Sequence, residues 1–401
     1  MDKQTLANIL RSLYFQPTQS ITELSNEIGK SVPFVTKSLQ HLIDRQLVCS
    51  LGLGASTGGR RANKFALNLS KLPYILVLSI DQYQSTITLL DFANNFIKGT
   101  AYLDMAIMRE DSKIEDLLVF IENYLADLKK EDIALFALSM PGFVNAASGV
   151  NTSFPEGSPK RNLKERLQKH FNFPTYLEND STAIAIAEHQ FGGAKHSKNA
   201  LIINLNWGVG LGIIIDGKLY KGHSGFAGEF SHIPISNRNN LCSCGKKGCL
   251  EVEGSLWTAI NIAKNKLQKG EVTNLPKSWG SQKKREQIQG LIDCAFQGDQ
   301  MALSCFSTIA HVLGKGIATL IHIVNPEKII ISGIGAQVGP ILMPHIESSL
   351  LEYSITQLSK HTQIKFSKLQ NMQIIGTAAV AISAYNWNKM INTNKLTKHS
   401  I

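Results

Sequence analysis

One histidine and three cysteines stand in a pattern suited to holding a metal: His232, Cys242, Cys244 and Cys249, in the order H-x9-C-x-C-G-x2-G-C. An imidazole and three thiolates make a closed tetrahedral zinc site, with Zn–S distances of about 2.3 Å, and Gly245 and Gly248 let a tight loop fold round the ion. Four protein ligands leave no open position for a metal-bound water, so the expected zinc is structural. Cys49, Cys294 and Cys305 lie apart from this group and read as ordinary buried thiols. The opening MDKQTLANILRS lacks the apolar core of an export signal, so a disulfide framework is not expected.

A second set of residues carries carboxylate and amide chemistry. Glu178-Asn179-Asp180 ends a predicted strand, Glu229 stands three residues before His232, and Glu251 follows Cys249. Carboxylates, amides and imidazoles suit the dense, bidentate hydrogen bonding that recognises sugar hydroxyls. A metal-braced loop carrying two of these carboxylates couples the two sets.

The elements that must position these groups follow from periodicity. Residues 73 onward alternate strands and helices: strands at Ile75–Ile80, Thr86–Leu90 and Phe96–Ala101, a helix near Ile114–Leu128, and a buried strand at Ile133–Met140. The style resumes with strands at Ala200–Asn206, Gly210–Ile215 and Lys328–Ser332, and a turn at Asp216-Gly217. Helices are expected at about Leu256–Leu267, Lys284–Phe296, Gln300–Ile323 and Gly376–Trp387, followed by a frayed polar end from Asn388. This is α/β architecture in two lobes.

Residues 1–70 read differently. Leu6, Ile9, Leu10 and Leu13 mark a first helix at Thr5–Tyr14, a second spans about Ile21–Ile28 and stops at Gly29, and a third runs from a Ser31 cap to about Arg45. Two short helices joined by a Gly-containing turn are the helix-turn-helix pattern. On the third helix Pro33, Lys37, Gln40 and His41 project opposite the apolar stripe, with Ser31 and Thr36 beside them, where a recognition helix meets the major groove. Strands at Leu47–Leu51 and Lys64–Asn68 enclose a Gly-rich hairpin whose Arg60 and Arg61 suit a wing reaching phosphates or the minor groove. These 70 residues hold four more basic than acidic residues, out of an excess of ten in 401. The domains expected are therefore a winged helix-turn-helix over 1–70, a two-lobed domain over 71–388, and a basic polar tail over 389–401.

The stretch from Pro141-Gly142 through ENDSTAIAIAEHQFGG, NLNWGVGLGIIIDGKLYKGHSGFAGEFSHIPI and CSCGKKGCLE, with IISGIGAQVG and GTAAVAISAY beyond, resembles the ROK family of repressors, open reading frames and sugar kinases. The N-terminal part, with its GGRR wing, is similar to the winged-helix domain of the family's repressors. The resemblance implies an actin-like, ribonuclease-H-like two-lobed ATPase fold with a sugar in the cleft between lobes. It places sugar contacts on Asn179, Asp180, Glu229, His232 and Glu251, with Gly142 lining the site. In the family's kinases the residue matching Asp180 is the general base.

The chain departs from the kinase pattern on the nucleotide side. Where those kinases carry Asp-x-Gly-Gly-Thr, this chain has Asp81-Gln82-Tyr83-Gln84-Ser85, which loses the glycines that let backbone N–H groups approach phosphates. The second phosphate loop keeps Gly208, Gly210 and Gly212 behind Asn206 and Trp207, and the adenosine-side motif thins to Ser332-Gly333-Ile334-Gly335. Ser231 stands where the family usually has Gly. Phosphoryl transfer rests on positioning around the triphosphate, so catalysis is not expected. The sequence therefore points to a cytoplasmic, sugar-responsive transcriptional regulator, most simply a repressor. It would bind operator DNA as a homodimer or homotetramer and be released by a sugar or sugar phosphate, with no membrane partner. The alternatives are an ATP-dependent sugar kinase using Asp180, with an appended DNA-binding domain, and a wing domain that docks another protein.

Overall fold

The computed structural model describes residues 2–54 and 61–392, which divide into two compact units, Met1–Asp180 with Thr377–Ile401 and Ser181–Gly376. Arg60 and the wing tip lie outside the described residues.

The first unit begins with helices Lys3–Phe15, Ile21–Ile28 and Val32–Asp44. Asp2 caps the first by accepting from the Gln4 and Thr5 N–H groups. Ser20 and Glu23 close a capping box on the second, which ends at Gly29 with φ 68°. Ser31 occupies the N-cap of the third but makes no capping bond with its side chain. Strands Val48–Leu53 and Asn63–Leu67 pair antiparallel, and Gln19-Ser20 adds an edge to Asn63–Leu67. Three helices and a three-stranded hairpin sheet make the winged helix-turn-helix.

Beyond it lies a five-stranded sheet in the order Thr175–Asn179, Ile133–Met140, Tyr74–Ile80, Gln84–Leu90, Phe96–Asp104. The first three strands run parallel, and the remaining pairings are antiparallel. Every residue of Tyr74–Ile80 is buried, as a strand covered on both faces requires. The second unit repeats this plan: Lys218–Leu219, Val209–Ile215, Ala200–Leu205, Lys328–Ser332, Gln363–Phe366, with an antiparallel meander followed by two parallel strands beside its first. Two sheets of identical connectivity in one chain are the duplicated ribonuclease-H-like architecture of actin-like proteins.

Helix Gln300–Val324 is apolar and long enough to cross a membrane by length and composition, but about half of its apolar stretch is buried within the protein. It forms the spine of the second unit, with Phe306, Ile309, Leu313 and Ile317 in the core.

Two expectations need correction. The chain does not fray from Asn388: Asn388–Asn392 is helical, Met390 and Ile391 are buried, and the Ile391 carbonyl accepts from Arg45. The residues expected in a polar tail thus begin by packing on the winged helix-turn-helix. The last long helix runs Met372–Ala384 rather than Gly376–Trp387, because Trp387 is instead packed against Phe92 and Tyr385.

Candidate functional site

The four residues expected to hold a metal converge. His232, Cys242, Cys244 and Cys249 each offer one ligand atom, and these atoms lie within 4.8 Å of one another. His232 closes the short turn Phe230–His232, and Cys249 caps helix Leu250–Gly254. Cys242 Sγ stands 3.4 Å from His232 Nδ1, and Cys244 Sγ 3.7 Å from Cys249 Sγ. The loop between them is held by Cys242 N–H to the Lys246 carbonyl at 2.8 Å and Gly248 N–H to the Asn240 carbonyl at 3.0 Å. Gly248 has φ 69°, and a Cβ there would overlap the Ser236 carbonyl, so only glycine fits. Glu253, with no exposed surface, accepts from Arg238 at 3.3 Å and Asn240 at 3.0 Å and pins the far side of the loop. Burial and the neighbouring thiols push Cys249 up to about 12, whereas the Lys246 backbone N–H draws Cys244 down. Buried sulfurs facing one another in this way suit a thiophilic divalent cation that takes them as thiolates.

The sugar-site residues predicted from sequence fall into two groups, one in each unit. In the first unit Asn179 ends its strand and Asp180 starts helix Asp180–Phe191. Asn179 Nδ2 donates to the Gly142 carbonyl at 3.0 Å, which joins the strand end to the turn after Ile133–Met140. Gly142 has φ 100°, and a Cβ there would lie 2.5 Å from Ser153 Oγ. Sequence reasoning missed what fixes this turn. Asn151 Nδ2 donates to the Pro141 carbonyl at 2.9 Å, and Phe143 N–H donates to Ser153 Oγ at 2.8 Å. The only sequence signal was the polar run Asn151-Thr152-Ser153.

In the second unit Glu229, His232 and Glu251 gather around the cysteine loop. His232 uses its two nitrogens on different sides: Nδ1 faces the thiols, and Nε2 lies 3.9 Å from Glu229 Oε2. This division lets one ring be a metal ligand and still orient a carboxylate. Glu251 accepts from the Val209 N–H at 3.0 Å, and burial raises its pKa against the lowering pull of that bond and of His232. Ser231 is buried at 5% exposure, so the extra hydroxymethyl is accommodated inside the turn.

The nucleotide-side residues are engaged elsewhere. Asp81 Oδ1 accepts from the Tyr83 and Gln84 N–H groups at 2.7 and 2.8 Å, closing its own turn. Asn206 Nδ2 donates to Asn204 Oδ1 at 2.7 Å while its Oδ1 accepts from Ile334 N–H at 2.7 Å, which laces the loop around Gly208 to the one around Gly333 and Gly335. A Cβ on Gly210 would overlap Ser181 Oγ, and one on Gly212 would overlap Ala185. Close packing on helix Asp180–Phe191 is reason enough for these glycines.

On the winged helix-turn-helix, Pro33, Thr36, Lys37, Gln40 and Ser31 are exposed, His41 is half-buried, and Arg61 is exposed. Thr36 Oγ1 donates back to the Val32 carbonyl at 2.8 Å, and Gln40 donates to Asp44 at 2.8 Å. Lys64 is committed to Glu23 at 2.6 Å.

Residues 101–384 match the model of the ROK family. The N-acetylglucosamine repressor of Escherichia coli O157:H7 is 28% identical over 350 residues, covering 86% of this chain and 84% of its own. A crystal structure described as a ROK family transcriptional regulator, homolog of the E. coli MLC protein, is 27% identical with a TM-score of 0.76, covering 95% of this chain and 96% of that one. A ROK family glucokinase from Streptomyces griseus, solved with glucose and AMPPNP, shares the fold at 22% identity and a TM-score of 0.63, covering 76% of this chain and 98% of its own.

Proposed function

The chain belongs to the ROK family, and from that premise we propose that it is a sugar-responsive, DNA-binding transcriptional repressor without kinase activity. The observation that carries the reading is the joining, in one chain, of a winged helix-turn-helix with an exposed recognition face to a ROK region whose nucleotide-side groups are already bonded to one another. The regulators among its relatives support the same reading.

A homodimer or homotetramer in the cytoplasm presents paired recognition helices to two operator half-sites. Lys37, with Ser31, Pro33, Thr36, Gln40 and His41 around it, meets the major groove, and Arg60 and Arg61 reach the backbone or minor groove. For recognition of a sugar or sugar phosphate the first unit offers Gly142, Asn179 and Asp180, and the second offers Glu229, His232 and Glu251. The repression it relieves equals its affinity difference between the DNA-binding and released states. Zinc held by His232, Cys242, Cys244 and Cys249 fixes the loop that presents Glu229 and Glu251. When bound, it supplies structure rather than a reactive water.

The polar turn at Asp81 and the Asn206 bridge speak against the kinase alternative, because each occupies donors and space that phosphates need. A thermal-shift screen of the zinc-loaded protein against sugars, amino sugars, their phosphates and ATP tests the proposal. A shift with one sugar, no shift with ATP, and loss of operator binding in that sugar are expected. A shift with ATP, with sugar phosphorylation that vanishes in Asp180→Ala, would replace the repressor reading by the kinase.

A further inference from the structure

Among the described residues of 1–70, four large apolar side chains are exposed, and none lies on the first two helices. Val32 (45% exposed) and Phe34 (39%) open the recognition helix, and Leu51 and Leu53 lie on the first strand of the wing hairpin. The domain therefore concentrates its unburied apolar surface on the elements that the proposed function brings to DNA.

At 100° per residue, Val32 falls on the Thr36 side of the exposed face and Phe34 on the side of Lys37 and His41. The two flank the line of Pro33, Lys37 and Gln40. Residues at the N-terminal end of a recognition helix are those that reach base edges. Of the groups that the four bases display in the major groove, the thymine 5-methyl is the only alkyl group. An aromatic or branched side chain pressed on any other base edge would strip water from a donor or acceptor and return no hydrogen bond.

We propose that Val32 and Phe34 read thymine methyl groups, so that each operator half-site carries thymines flanking the base met by Lys37. This rests on the DNA-binding reading and adds to it the chemistry of base selection. Thr36 and Gln40 bond within their own helix, which leaves methyl contacts a larger share of the discrimination.

The test uses the full chain and leaves the protein unaltered in its main arm. Operator duplexes are selected from random DNA, and each thymine of a half-site is replaced by uracil, which removes the methyl and keeps every hydrogen-bonding group. One or two positions per half-site are expected to weaken binding about fourfold, the worth of one buried methyl-sized group, and about fifteenfold when changed in both half-sites. That penalty should fall below about twofold in Phe34→Ala or Val32→Ala and persist in Phe34→Leu. Uracil substitutions that all leave affinity within about twofold would overturn the proposal, as would a penalty that survives unchanged in both alanine variants. The same uracil insensitivity with an altered oligomeric state in Phe34→Ala would assign the patch to protein contact instead. Failure to select any duplex would sink the DNA-binding reading, and this one with it.

Discussion

Glu23 concentrates two structural tasks on one oxygen. Its Oε2 accepts from the Ser20 backbone N–H and from Lys64 Nζ, each at 2.6 Å, so a single atom closes a capping box and ties the second helix to the wing strand Asn63–Leu67. The Lys64 ammonium first, and the Ser20 N–H second, hold this carboxyl at about 2 against an ordinary 4.5. A carboxyl depressed in the folded state contributes stability that is complete above its unfolded pKa and is lost as pH falls through the folded one. The window here runs from about 4.5 down to about 2. A shift of that size corresponds to about 3 kcal/mol without screening. Glu23 is 52% exposed and Lys64 29%, and solvent screening of so open a pair reduces the contribution to about 1 kcal/mol. Glu23→Gln keeps an acceptor for the Ser20 N–H and loses the charge, so it should cost about 0.5–1 kcal/mol at pH 7. Glu23→Ala also loses the cap and should cost about 1–2 kcal/mol. Hydrogen-exchange mass spectrometry on peptides covering residues 19–28, corrected for intrinsic rates, reads this locally. The excess protection of wild type over Glu23→Gln should be full at pH 7, shrink below pH 4.5 and fade near pH 2. An excess that stays constant from pH 7 to 3, or is absent at pH 7 in low salt, refutes the argument.

Three further outcomes follow. Gly248→Ala forces a Cβ into the Ser236 carbonyl at φ 69°, so purified protein should hold clearly less than one zinc by elemental analysis and melt several degrees lower, and a variant with full zinc and an unchanged Tm would contradict the loop geometry. Tyr14→Phe removes the 2.7 Å bond to Asn94 Oδ1 and should cost about 0.5–1.5 kcal/mol, seen as faster exchange in helix Lys3–Phe15. Gly212→Ala overlaps Ala185 and should destabilise the second unit by about 1–3 kcal/mol, with partial recovery in the double variant Gly212→Ala/Ala185→Gly as measured by denaturant unfolding.

How far the sequence reached depended on whether local pattern or tertiary contact decides an element. The strand Ile133–Met140 and the helix Lys284–Phe296 were legible to the residue, because an unbroken apolar run and a 3.6-residue stripe are local signals. The helix Asn388–Asn392 was not, since Met390 and Ile391 are two apolar residues in a polar context and only their burial keeps them helical. The convergence of His232 with Cys242, Cys244 and Cys249 was legible because their spacing confines them to one short stretch of chain. The loop glycines were legible as glycines but not in their reason: Gly210 and Gly212 fit a phosphate cradle and a tight helix contact equally well by sequence, and only the folded chain brings the Ser181 and Ala185 side chains beneath them. The bracing of Gly142 by Asn151 and Ser153 lay beyond reach, because it depends on how a loop folds back.

The seam around Tyr14 bears on how such proteins can be recombined. Tyr14 is almost fully buried, stacks edge-on against Phe92, and bonds the side chain of Asn94. Asp91 presets that hairpin by accepting from the Ala93 and Asn95 N–H groups at 2.8 and 2.9 Å. Phe92 continues into Trp387, and Arg45 reaches the carbonyl of Ile391. The DNA-binding domain is therefore not a detachable cassette ending at residue 70. A chimera that transplants a foreign winged helix onto this ROK region has to carry with it the hairpin at 91–95 and the segment 385–391, or it exposes a socket made for another protein's tyrosine.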